Sequence, residues 1–260
     1  MKIYSCEIKG SAAALDAYFN EYHLYASAGA SHSYATSLKP WMEKENLFRI
    51  VVTPSGKARA GDAVRFSVAA TLTEGSQRRS LVKMQFPEGV APPHAPSLPF
   101  DTMGKNLATG NNLSFVCDDP GDVVAKPWKA TPRTIDDPRQ AYQLYGQIQA
   151  LFVAGDIEQI MAISRARISF GARLHGLARA DYEKEILNDL KQTLAGHPQW
   201  RTVSDPEREL TVHEFMPRKV VRMLNLRGFG ALRTAPDKDG IQFGYDVILA
   251  MTPEGLVWIM

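Results

Sequence analysis

The clearest pattern in the chain is Val64, Phe66, Val68, Ala70 and Leu72, apolar at every second position, with Arg65, Ser67, Ala69 and Thr71 on the opposite face. Such alternation describes a half-buried strand. Lys2 to Ile8 alternates in the same way, and Leu47 to Val52 is rich in β-formers. Leu81 to Phe86 and Leu113 to Cys117 add further strands, with turn residues between them such as Glu74-Gly75-Ser76 and Asp118-Asp119-Pro120-Gly121-Asp122. One stretch differs: Ala12, Leu15, Tyr18, Phe19 and Tyr22 recur at helical spacing and predict a short helix within Ser11 to Tyr25. Pro87 to Pro99 cannot supply an interior strand, because proline lacks the backbone donor, and Phe100 to Asn112 has no clear period. Residues 1–125 therefore predict a mostly antiparallel, sandwich-like β domain carrying one long loop.

The period then changes. Val123 to Arg133 contains Pro127 and Pro132, and 126–135 reads as an extended linker. Asp136-Asp137-Pro138 is a helix start, with aspartate as cap and proline at the first helical position. Ala141, Leu144, Tyr145, Ile148, Leu151 and Phe152 then form one apolar stripe, Gly155 can close the helix, and Asp156 can cap the next. A second helix is expected to about Leu174, with Arg165, Arg167 and Arg173 off its apolar side and solvated. A third runs from about Asp181 to Gly196. Leu210 to Phe215, Lys219 to Leu226, Gly230 to Thr234, Ile241 to Met251 and Leu256 to Met260 follow as strands, the last two sharing a hairpin turn at Thr252-Pro253-Glu254-Gly255. Three helices followed by consecutive strands give, over 136–260, helices packed on a curved antiparallel sheet. The whole chain is thus of the α+β class.

Composition narrows the function. With 260 residues the chain can build two cores, and a hydrophobic share of 45% is that of a folded protein rather than a disordered one. A net charge of +2 argues against direct nucleic-acid binding. The start of the chain carries a charge where a signal peptide needs an apolar run, and no stretch approaches the length of a membrane span. A cytoplasmic address is expected. Cys6 and Cys117 both sit in apolar alternating stretches, which favours buried free thiols and leaves a disulfide between them open.

Candidate chemistry is sparse. There is no phosphate-binding glycine loop, zinc spacing or nucleophile elbow, so no catalytic residue, cofactor or metal is expected. Asp118, Asp119 and Asp122 lack the alternating oxygen ligands of a calcium loop and read as a polar turn. Trp41 could anchor an interface but fits better as a cap on the β core. Gly228-Phe229-Gly230 reads as a bend. His213, Tyr245 and Asp246 are the best acid–base conjecture, weakened because alternation puts neighbours Tyr245 and Asp246 on opposite faces. The long loop is the expected contact surface for a partner, through Phe100, Met103 and Lys105, because loops carry adaptable binding groups.

The phrase Leu151-Phe152-Val153-Ala154-Gly155-Asp156-Ile157-Glu158, with the terminal hairpin ending Gly255-Leu256-Val257-Trp258-Ile259, resembles the nuclear transport factor-like and cystatin-like α+β folds. The cystatin-like layout fits better, since no strand separates the second and third helices. Ser37-Leu38-Lys39-Pro40-Trp41-Met42-Glu43-Lys44-Glu45-Asn46 leading into a β unit, followed by the helix-Gly-Asp-helix segment and a terminal sheet, resembles immunity proteins encoded beside effectors of the bacterial type VI secretion system. That resemblance implies a non-catalytic protein that binds and blocks a cognate effector toxin. It supplies no binding residues. An adaptor or chaperone that loads an effector, and a small-molecule carrier or enzyme using a pocket in the second domain, are the competing functions.

Overall fold

The computed structural model describes residues 2–11, 13–27, 31–54, 65–86, 111–197, 199–226, 230–236, 239–240 and 242–260. The chain divides into two compact units, Met1–Val124 and Ala125–Met260.

The first unit holds β1 (Lys2–Ser11), β2 (Ala13–Phe19), β3 (Tyr22–Ser27), β4 (Ser31–Ser37), β5 (Glu45–Pro54), β6 (Arg65–Glu74), β7 (Gln77–Phe86) and β8 (Asn111–Val116). They form two four-stranded antiparallel sheets, ordered β4-β1-β6-β7 and β3-β2-β5-β8. The expected helix within Ser11 to Tyr25 is instead the end of β1 and the hairpin β2–β3. Leu15, Ala17 and Phe19 are buried with Asp16 and Tyr18 facing outward, a period of two. Leu15, Phe19 and Tyr22 satisfy a helical stripe equally well. Long-range pairing of β2 with Phe48 to Pro54 on β5 settles the conformation. Asn20 takes the turn at φ 56°, and its side chain holds the Trp41 carbonyl and the Leu47 amide at 3.0 and 2.8 Å.

Alternate residues of both sheets fill the core: Tyr4, Cys6, Ile8, Phe66, Val68 and Ala70 from one, and Leu15, Phe19, Phe48 and Ile50 from the other. Trp41 is buried, its ring 4.6 Å from that of Tyr22. Tyr25 stacks on Tyr34 at 4.7 Å, a contact between the two sheets. The aspartates of the 118–122 turn are committed to neighbours. Lys2 Nζ lies 2.6 Å from Asp119 and 3.1 Å from Asp122, Tyr4 Oη donates to Asp122 at 2.6 Å, and Arg79 pairs with Asp118 at 3.0 Å. The hydrogen bond from Lys2 holds the Asp119 carboxyl below the usual carboxylate range.

Cys6 and Cys117 are buried free thiols. Burial pushes the Cys6 thiol up to about 12, from an ordinary 9.0. Because the folded value is raised, the contribution of the neutral thiol to stability is complete below the ordinary value and is lost as pH rises through the folded one. Iodoacetamide at about pH 8 should leave Cys6 unmodified in the native protein and label it in denaturant, as read by peptide mass spectrometry. Rapid native labelling would show that this side of the core opens.

The second unit contains α1 (Arg139–Ala154), α2 (Ile157–Ile163), α3 (Arg165–His175), α4 (Arg179–Gly196), the short α5 (Pro206–Glu209), and β9 (Leu210–Met216), β10 (Val220–Asn225), β11 (Leu232–Arg233), β12 (Gly244–Tyr245), β13 (Val247–Thr252) and β14 (Gly255–Trp258). The main antiparallel sheet is ordered β14-β13-β10-β9, and β11 pairs with β12. Asp137 accepts from the Arg139 amide at 2.9 Å to start α1. Gly155 ends it at φ 66°, and Asp156 caps α2 by accepting from the Gln159 amide at 3.0 Å. The second expected helix is broken: Ser164, with ψ 2°, separates α2 from α3. The strand expected over Ile241 to Met251 is also interrupted, with Asp246 between β12 and β13. Tyr145, Ile148 and Phe152 of α1 pack with Met223, Val247, Leu249 and Trp258 of the sheet to form the core.

The segment expected as a linker is packed into this unit. Trp128 is fully buried and meets Phe170 of α3 edge-on at 5.2 Å, while its short turn contacts β13. Lys219 Nζ donates to the carbonyls of Thr131 and Arg133, and the Ile135 amide donates to the Arg218 carbonyl at 2.8 Å.

Candidate protein-binding face

Burial alternates along β5: Asn46, Phe48 and Ile50 point inward, and Glu45, Leu47 and Arg49 point to solvent. On the outward side, Tyr18 of β2 is the register partner of both His23 on β3 and Arg49 on β5, so these three side chains form one row across three strands. The imidazole of His23 stacks on Tyr18 at 4.6 Å and 17°, and the Arg49 guanidinium carbon sits 4.2 Å from the Tyr18 ring centroid. Both faces of the Tyr18 ring are therefore occupied. His23 Nε2 lies 3.1 Å from Asp16 Oδ1, which anchors the outer end of the row.

This packing fixes rotamers before any partner arrives, so less side-chain entropy remains to be lost on binding. The same packing removes the free aromatic face that a nucleic-acid base would need for stacking. Beside the row, Leu47 is 43% exposed and Val116, diagonally across the β5–β8 pair, is 58% exposed. Tyrosine and arginine next to exposed aliphatic groups is the composition of an interface centre. Four strands at about 4.8 Å spacing and about 20 Å long present roughly 400 Å². That is about half of the ~800 Å² each partner gives to a stable complex, so adjoining surface must supply the rim.

The expected contact residues Phe100, Met103 and Lys105 lie outside the described residues, as do Gly228 and Phe229. Gly230 is described: it forms an isolated bridge with Leu224, and a Cβ there would come within 2.5 Å of Asp246 Oδ1.

Of the conjectured acid–base trio, Tyr245 is turned away from Asp246 and His213. Tyr245 Oη donates to Asp189 Oδ2 on α4 at 2.9 Å, and burial raises the Tyr245 phenol. Both Asp246 carboxylate oxygens lie 2.8 Å from Arg222 Nη2, and the register partner of Arg222 is His213. Tyr245 thus faces the helices while Asp246 is held by a cation on β10. Arg167, expected to be solvated, is half-buried, its guanidinium carbon 4.7 Å from the Trp258 ring centroid and 5.2 Å from that of Tyr245. Desolvation lowers its pKa. The break at Ser164 is one residue long, and Ile160, Ser164 and Ile168 stay buried along one side through it. Among the described residues, no helix is long and apolar enough to cross a membrane.

Neither a family model, nor a curated protein, nor a solved structure matches the chain.

Proposed function

We propose that this chain is a non-catalytic binding protein that neutralises a cognate effector toxin of the type VI secretion system by forming a stoichiometric complex in the cytoplasm. The observation that carries this reading is the pre-stacked His23–Tyr18–Arg49 row flanked by exposed Leu47 and Val116. Rigid, amphipathic aromatic groups beside aliphatic ones suit a protein partner, since they present contact area at low conformational cost. The layout of a β unit followed by a helix-Gly-Asp-helix segment and a terminal sheet supports the same reading through its resemblance to immunity proteins.

The test is co-expression with the product of the neighbouring reading frame. This chain should restore growth to cells expressing that toxin and should co-elute with it in an equimolar complex. Absence of both protection and complex would overturn the proposal.

A further inference from the structure

The outward side of β5 carries Glu45, Leu47 and Arg49 in that order, all three exposed. Side chains on one face of a strand are about 6.8 Å apart, so the two charges stand about 13 Å from each other with the aliphatic group between them. On β8, Val116 is the register partner of Glu45 and lies diagonal to Leu47, which widens the apolar middle. On the other side β2 pairs with β5 only from Phe48 onward, so Tyr18 flanks Arg49 and no β2 residue flanks Glu45.

The two charges of this row are uncommitted. Arg49 rests on the Tyr18 ring at 4.2 Å, and neither its donors nor the Glu45 carboxylate takes part in a side-chain hydrogen bond or ion pair among the described residues. Asp16 and His23, at the outer end of the sheet, are engaged with each other at 3.1 Å. All five guanidinium donors lie in one plane, so stacking on a ring sets that plane and leaves the fork open to a carboxylate. The separation of the two ends exceeds the Debye length of about 8 Å at physiological salt, and each end is therefore read on its own.

We propose that this face takes its protein partner in one fixed orientation, with a carboxylate of the partner on Arg49, an aliphatic side chain against Leu47 and Val116, and a basic side chain on Glu45. The inference rests on the toxin-binding reading and adds to it the chemistry and the polarity of the complementary surface. An apolar patch alone has no direction; the opposite charges at its two ends supply one. Exposed ion pairs contribute little affinity, but they set register and association rate. A partner turned end for end would place acid on Glu45 and base on Arg49, and those two like-charge contacts exclude the reversed complex.

The test is the affinity and association rate of charge-reversed variants with the product of the neighbouring reading frame. Arg49→Glu and Glu45→Arg should each weaken the complex about tenfold and slow its formation. Melting temperatures should not change, since both positions are exposed. Glu45→Arg leaves the Tyr18 stack in place, so its effect reports charge alone. The double variant R49E/E45R has the net charge of the native chain, yet should bind more weakly than either single variant because both ends are then mismatched. Recovery of native affinity in the double variant would show that the partner reads net charge, and would overturn the proposal. Native affinity in Glu45→Arg would overturn it as well. In either case the native complex still forms and the toxin-binding reading stands. Absence of a complex with the native chain would overturn that reading, and this inference with it.

Discussion

Trp128→Ala should cost the second unit about 3–5 kcal/mol, the range for removing a fully buried large aromatic side chain. Against a total stability of about 5–15 kcal/mol, that is a loss of a third or more in most cases. The ring fills the space between Phe170 on α3 and strand β13, and truncation leaves a cavity there. A melting-temperature drop on the order of 10 °C is expected for a unit of this size. Hydrogen exchange should localise the effect, with amides of α3 and β13 losing protection while those of β1 and β6 keep theirs. Trp128→Phe retains an aromatic filler and should lose less than half as much. A cost below about 1 kcal/mol for the alanine variant would mean that 125–135 is a loose connection after all.

Tyr18→Ala should weaken the toxin complex about thirtyfold, or roughly 2 kcal/mol, the threshold of an interface hot spot. Its ring holds His23 on one side and Arg49 on the other, so truncation both deletes contact area and releases two side chains that then need ordering on binding. Arg49→Ala should cost less, about 1 kcal/mol, because it removes one end of the row. If the row acts as a unit, the double variant should cost less than the sum of the single ones, and the coupling is measurable by a double-mutant cycle. Tyr18 is only half-buried, so circular dichroism and the melting temperature should change little. Unchanged affinity in both single variants would remove this face from the complex.

Which parts of the molecule were legible in the sequence depended on whether local pattern and tertiary environment agreed. Strands such as Arg65–Glu74, with one face buried and one wet, show their alternation directly. The Gly155-Asp156 junction was equally legible, because a left-handed closing residue and a capping carboxylate each have a local chemical signature. Tyr18 and His23 were hidden by the helical spacing of Leu15, Phe19 and Tyr22, and the deciding information is the pairing with β5, some thirty residues away. The available signal was Asn20-Glu21 as a two-residue turn, which places Tyr18 opposite His23.

Trp128 was hidden for a different reason. Pro127 and Pro132 mark an extended segment because they lack a backbone donor, yet this segment is held by the groups that remain, the Thr131 and Arg133 carbonyls that receive Lys219 and the Ile135 amide that donates to Arg218. Proline removes only half of a residue's hydrogen-bonding capacity. Arg167 was misjudged because a cation off the apolar stripe can still lie over aromatic rings, here those of Trp258 and Tyr245, whereas the opposite facing of Tyr245 and Asp246 was legible from alternation. Trp200 meets Thr234 through a single isolated bridge, which leaves no periodic trace.

The ion pairs from Lys2 to Asp119 and Asp122 join the opening strand of the first unit to its closing turn. The chain therefore leaves this unit beside the point where it entered, after forming both sheets. A block whose two ends meet can be transplanted, permuted or spliced into a host loop with only a short connector. In engineering terms the β unit is a cassette, with the Lys2–aspartate corner as its clasp.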